Sequence, residues 1–170
     1  NVYSLLEDFR TEDSILGRKT FFEMPLEGRT LSAWKIHPPN FDSTKKYPVL
    51  FFVYGGPGDQ RVQNVYPRQQ TQWLHLMAQH GYIIVCVDNR GTGGKGAEFK
   101  KSTYMRLGQQ ETEDQLAAAR YVGQWPFADS SRIGIFGWSY GGYMSLMTIV
   151  QENSPFKAAI SVAPVTQWRY

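Results

Sequence analysis

The chemistry of this sequence concentrates at Gly137-Trp138-Ser139-Tyr140-Gly141, a G-x-S-x-G run that Gly142 extends. A glycine two residues to either side of a serine suits a sharp strand-to-helix turn. Such a turn pushes the serine hydroxyl out at the carboxyl edge of a sheet, where flanking side chains would collide with crowded backbone. The short run arises easily by chance, so its surroundings decide. Arg132–Phe136 (RIGIF) directly before it reads as a strand, and Tyr143, Met144, Met147 and Val150 directly after it have helical spacing. This is the setting of a serine nucleophile that attacks a carbonyl. Amides at the start of the following helix carry partial positive charge. The Tyr140 N–H is therefore expected to donate to the oxyanion formed in that attack. A second donor is expected from Tyr54-Gly55-Gly56-Pro57-Gly58, a loop that follows an apolar run. Tyr54 offers a phenolic hydroxyl there, although a tyrosine at a strand end is, taken alone, more often a packing residue.

A scaffold must hold these groups. Lys19–Met24 and Thr30–His37 are strand-like and separated by the turn signal Pro25-Leu26-Glu27-Gly28, so they predict a hairpin. Tyr47–Tyr54 (YPVLFFVY) predicts a strand buried on both faces. Tyr66–His80 has helical spacing, with Trp73, Leu74 and Met77 on one side and Gly81 as C-cap. Tyr82–Val87 predicts another buried strand. Asp88-Asn89-Arg90 closes it and is expected to order the sheet edge through local ion pairs. A glycine-rich loop runs on through Ser102. Thr112–Gln124 predicts a helix with Leu116, Ala119 and Val122 inward, and Ala158–Val162 a last strand. From Tyr47 onward strands and helices alternate. That order implies the α/β class: a mostly parallel sheet flanked by helices, with the hairpin as an antiparallel edge. Asn1 to Arg18 reads as an acidic, irregular lead-in, and 19–170 as one domain.

Composition narrows the function. The chain has 170 residues, 42% of them hydrophobic and 15% aromatic, a globular balance. Its longest apolar runs, such as Val49–Tyr54 and Ile83–Val87, are strand-sized, far short of the roughly 18–20 residues of a membrane span. The net charge is +3, with acids interspersed among the bases. That argues against a nucleic-acid partner. The single cysteine, Cys86, sits in an apolar run. It excludes an intrachain disulfide framework and a cysteine-based zinc site, and reads as a buried structural thiol. No metal is expected. Gly91-Thr92-Gly93-Gly94-Lys95-Gly96 matches the dinucleotide pattern G-x-G-x-x-G after a strand. The third glycine of that pattern should open a helix, and an acid about 20 residues on should end the next strand. Glu98-Phe99-Lys100-Lys101-Ser102 reads instead as more loop, and Glu111, Glu113 and Asp114 as the start of a helix. No cofactor is therefore expected.

Together, YPVLFFVYGGPG at Tyr47–Gly58, VDNRGTGGKG at Val87–Gly96, EDQLAAAR at Glu113–Arg120, GWSYGGY at Gly137–Tyr143 and SVAPVTQWRY at Ser161–Tyr170 resemble the prolyl oligopeptidase family of serine peptidases, most closely its dipeptidyl peptidase IV branch. The resemblance implies an incomplete α/β-hydrolase fold that lacks its last strands. It implies that Ser139 is the nucleophile and that the Tyr54 hydroxyl joins the Tyr140 N–H in the oxyanion hole. Tyr140, Val165 and Trp168 would line an apolar pocket for a proline or alanine side chain of a peptide substrate. It further implies that residues 1–18 lead in from a β-propeller, that the protein forms a homodimer, and that it works in the periplasm, as a secreted protein or as a membrane-anchored ectodomain.

The sequence departs from the family pattern after Ser139, where it contains no Asp and no His; Glu152 is the only acid. His37, His75 and His80 read as surface or packing residues. The triad partners, Asp then His, are expected beyond Tyr170, together with strands whose absence leaves an unpaired sheet edge. Asn1–Leu6 has no signal-peptide shape and no initiator Met, which suggests a piece of a longer precursor. Without a base the chain alone is expected to be nearly inactive. Alternatives are an acylaminoacyl peptidase or esterase of the same fold, since the serine motif does not separate amide from ester substrates, and a non-catalytic binding module.

Overall fold

The computed structural model describes residues 17, 19–65 and 69–168. Apart from Gly17, the lead-in at 1–18 lies outside them, as do the helix start at Tyr66 and the last residue, Tyr170.

Two-residue periodicity organises the sheet. Strands β1 (Lys19–Leu26) and β2 (Arg29–Ile36) form the expected hairpin across Glu27-Gly28, with Leu26 opposite Arg29. Strand β3 (Tyr47–Val53) is followed by helix α1 (Gln69–Gln79) and strand β4 (Ile83–Val87). Helices α2 (Gly96–Lys101) and α3 (Gln109–Gly123) lead to strand β5 (Ala128–Trp138). Helix α4 (Tyr140–Ile149) and strand β6 (Ala158–Val162) complete the described elements. The strand order is β1-β2-β4-β3-β5-β6. Strands β4, β3, β5 and β6 run parallel, and β2 joins β4 antiparallel.

Because successive side chains point to opposite faces, the apolar runs of β3 and β4 feed two cores. Val49, Phe51, Val53, Ile83, Val85 and Val87 pack with Leu116, Ala119 and Val122 of α3 and Met144 of α4. Leu50, Phe52, Ile84 and Cys86 pack with Leu74 and Ala78 of α1 on the other face. Each buried Leu, Ile, Val or Phe contributes about 1.5–3 kcal/mol. Helices on both faces of a mostly parallel sheet are the α/β arrangement that the alternation of elements predicts.

Four local expectations need correction. The segment Glu98–Ser102, read as loop, lies mostly in α2, which opens at Gly96. Helix α3 begins at Gln109 rather than Thr112, because Gly108 turns the chain in the left-handed region and donates its N–H to the Glu111 side chain. Strand β5 begins at Ala128 rather than Arg132, where Ala128 pairs with Tyr47 across a register shift. Arg90 makes its ion pairs with Glu113 and Asp114 of α3, far along the chain, so the pairing at the end of β4 is not local.

Candidate active site

Strand β5 brings Ser139 to the carboxyl edge of the sheet. Its N–H donates to Val162 O at the end of β6 (2.9 Å), and Tyr143 N–H donates to Ser139 O (3.0 Å) as α4 starts. Ser139 has φ 57° and ψ −116°. This is an uncommon conformation for a residue with a side chain, at a cost of about 1–3 kcal/mol. A Cβ at Gly137 would strike the Gly141 backbone, and one at Gly141 would strike Val53 O. The glycines of the motif are thus required by backbone-on-backbone packing. Serine at a helix start usually caps it with its hydroxyl. Ser139 makes no such bond, so its Oγ is left for other chemistry.

Tyr140 is the first residue of α4, and a first helical amide has no acceptor within its own helix. Its side chain is buried. The phenol donates to Glu111 Oε1 at 2.7 Å. Burial, and then the Glu111 carboxylate, hold the phenol's pKa above its ordinary value, which keeps the proton on the donor. Tyr54 follows β3 directly. Val53 pairs with Gly137, so the register sets Tyr54 beside Trp138 and Ser139 on the neighbouring strand. The Tyr54 and Tyr140 ring centroids are 6.1 Å apart. Gly56 sits against both rings, and the Arg61 guanidinium lies 4.6 Å from the Tyr54 centroid.

Trp168 closes the group from the loop after β6. Its ring lies 5.5 Å from Tyr140 and 5.4 Å from Tyr143, centroid to centroid. Val165 is half-buried in the same loop. The structure therefore gathers Ser139, Tyr54, Tyr140 and Trp168 at one sheet edge. A cavity of about 340 Å³ opens beside them, walled by Phe52, Tyr54, Arg61, Trp73, Phe136 and Trp138.

The histidines lie elsewhere. His37 follows Ile36, which pairs with Ile84 at the start of β4, the edge opposite Ser139. His37 stacks on Phe41 at 3.9 Å and meets Phe127 edge-on. Burial and the nearby Lys35 charge lower its pKa to about 4, so it is neutral at pH 7. His75 is buried in α1, and His80 follows α1 on the way to that same far edge.

The glycine-rich loop uses its own amides. Gly91 N–H donates to Phe99 O, Thr92 N–H to Asn89 O and Gly93 N–H to Asp59 O. A pyrophosphate would need those donors. Among the described residues, no group of three His, Cys, Asp or Glu is placed to hold a metal ion, and no helix is long and apolar enough to cross a membrane.

Four supporting residues escape the sequence reading. Asn89 donates to Gly55 O (3.1 Å) and accepts from Gln115 (2.9 Å), so α3 braces the loop after Tyr54. Asp114, with no solvent exposure, takes the Arg90 guanidinium and main-chain N–H and also pairs with Arg29 at 2.5 Å. Glu111 holds Tyr140. A signal was present: Glu111, Asp114, Gln115, Ala118, Ala119 and Val122 form one i, i+3, i+4 stripe whose first half is polar yet faces inward.

The sequence model of the prolyl oligopeptidase family matches residues 67–170. The Arthroderma benhamiae protein named "Probable dipeptidyl-aminopeptidase B" is 46% identical over 151 residues, 88% of this chain and 16% of the relative. A Paracoccidioides lutzii protein of the same name is 44% identical over 162 residues, 95% of this chain and 18% of the relative. The crystal structure of Porphyromonas gingivalis dipeptidyl peptidase 4 superposes with a TM-score of 0.86 at 46% identity, covering 91% of this chain and 22% of that one. The chain thus spans less than a quarter of the length of the proteins it matches.

Proposed function

Because this chain belongs to the prolyl oligopeptidase family, we propose that it is the nucleophile-bearing part of the catalytic domain of a serine dipeptidyl peptidase that cleaves after a penultimate proline or alanine. Residues 19–170 form the front of that domain in this reading, and 1–18 lead in from a preceding domain. The observation that carries it is Ser139 at its strained corner, register-aligned with Tyr54 and followed by the Tyr140 amide.

Ser139 Oγ attacks the scissile carbonyl carbon and loses its proton to a histidine supplied from outside these 170 residues. The carbonyl oxygen becomes an oxyanion that accepts from the Tyr140 N–H and the Tyr54 O–H. Collapse expels the amine, which takes the proton from the histidine, and water then releases the acyl group by the reverse sequence. The exposed Trp168 ring packs against the buried Tyr140 ring, with Val165 in the same loop as Trp168, and this apolar group suits a pyrrolidine ring or a methyl group. An open apolar wall favours small, rigid side chains over charged ones.

The test uses the full-length protein and a chromogenic Gly-Pro amide. Wild type is expected to release the chromophore, and Ser139→Ala to lose about 10⁶-fold in kcat. The 170-residue chain alone, with its histidines away from Ser139, is expected to stay far below ordinary enzyme rates. Turnover that survives Ser139→Ala would refute the reading.

A further inference from the structure

The buried carboxylate of Glu111 is the feature that the proposed reaction leaves without a part to play. It has no solvent exposure. One oxygen accepts the Gly108 N–H at 3.0 Å; the other accepts the Tyr140 phenol at 2.7 Å, across 29 residues of sequence. Burying a carboxylate is unfavourable unless its acceptors are satisfied. Filling this space alone would need no charge: a phenylalanine at 140 facing an apolar residue would pack as well. An acceptor-only group matches two donors arriving on two oxygens, and a charge-assisted bond is roughly twice as strong as a neutral one.

Tyr140 is attached to that bond at one end and to Ser139 at the other. Its side chain has only two rotatable bonds. Pinning the phenol therefore restricts the Cα and the direction of the N–H. The residue beside it, Ser139, holds a strained backbone. Such strain persists only where the surroundings over-determine it. Tyr143 and Trp168 pack on the same ring, but packing tolerates sliding, whereas a directed hydrogen bond does not.

We propose that Glu111 is a positioning residue for the reaction at Ser139: by fixing the Tyr140 ring it aims the Tyr140 N–H at the oxyanion. This rests on the reading of that amide as an oxyanion donor. Glutamine at 111 keeps the shape but turns an NH₂ toward one of the two donors. A loose aim weakens the transition state more than the bound substrate, so the loss falls on kcat.

The experiment compares wild type, Glu111→Gln, Tyr140→Phe and the double variant in the full-length protein, with kcat expressed per site titrated by a fluorophosphonate. Each single variant is expected to lose about 10- to 100-fold in kcat with KM within about threefold. The double variant is expected to lose no more than the worse single, because both break one connection. Unchanged kcat in either single variant, or losses that multiply, overturns the proposal. A purely structural role would lower the melting temperature and leave kcat per titrated site unchanged, which also overturns it. If Glu111→Gln does not fold, Tyr140→Phe alone decides, since full kcat without the phenol is incompatible with the proposal. A wild type that labels at Ser139 but cleaves no Gly-Pro amide defeats the dipeptidyl reading, and the same four proteins are then compared by labelling rate. A wild type that does not label overturns both.

Discussion

At Tyr54 a single oxygen atom separates a packing residue from the oxyanion donor proposed above. The Arg61 guanidinium lies 4.6 Å from the ring centroid and the Gly56 backbone closely approaches its edge, so removing the hydroxyl leaves the ring in place. Tyr54→Phe is expected to lower kcat about 10²-fold while changing KM much less, as follows for a bond made to developing charge. Steady-state kinetics on the full-length protein checks this, and an unchanged kcat removes Tyr54 from the mechanism. The corner at Ser139 and the helix start at Tyr140 were legible in the sequence because the elbow is local: three glycines, a strand before and a helix after, all within a few residues. Glu111 was not, because its meaning lies in a partner 29 positions away.

Helix α3 shows the same limit over a whole element. Leu116, Ala119 and Val122 announce its inward face, and the strands are readable from their apolar runs. The polar half of that face continues the same i, i+3, i+4 spacing, but nothing local says which partners its carboxylates and amide meet. Glu111, Glu113 and Asp114 invite comparison with a ribose-binding acid; in the structure they bind a phenol and a guanidinium. Gln115 donates to Val87 O and to Asn89 Oδ1 with no solvent exposure. Gln115→Leu would leave both acceptors buried without this donor, at about 1–3 kcal/mol for each unsatisfied group. Urea denaturation is expected to show a loss of that order, and a variant as stable as wild type would mean that water or a shifted side chain replaces the amide. Helix α2 was misread for a related reason: its six residues lack a buried stripe to give it a period.

Over the whole molecule, a buried carboxyl and a half-buried imidazole oppose each other in acid. Burial raises the Asp88 carboxyl to about 6 although it accepts the Arg61 and Val62 amides, with the Asp59 charge acting in the same direction. The folded state then binds more protons than the unfolded chain between pH 6 and 3.8, so this group favours folding as pH falls. His37 does the reverse. Its folded value near 4 lies below the ordinary 6.5. The unfolded chain binds more protons in that window, and stability is lost as pH drops from 6.5 toward 4. His37→Gln removes the second slope. The variant's denaturation midpoint relative to wild type is expected to rise steadily from pH 6.5 to 4, and a flat difference would show that His37 protonates without unfolding cost. At the other side of the sheet, β6 pairs only with β5 among the described residues, and Ile160 is 53% exposed.

The two guanidiniums on Asp114 have a mechanical consequence. Arg29 stands at the tip of the β1–β2 hairpin and Arg90 at the end of β4; Arg90 hydrogen-bonds and Arg29 ion-pairs with one carboxylate in α3, a single turn from Glu111. The outermost hairpin of the sheet is therefore no loose flap. Displacing its tip withdraws one of two cations from a carboxylate sealed off from water. The nearest rigid body to feel that withdrawal is the helix whose first turn grips Tyr140.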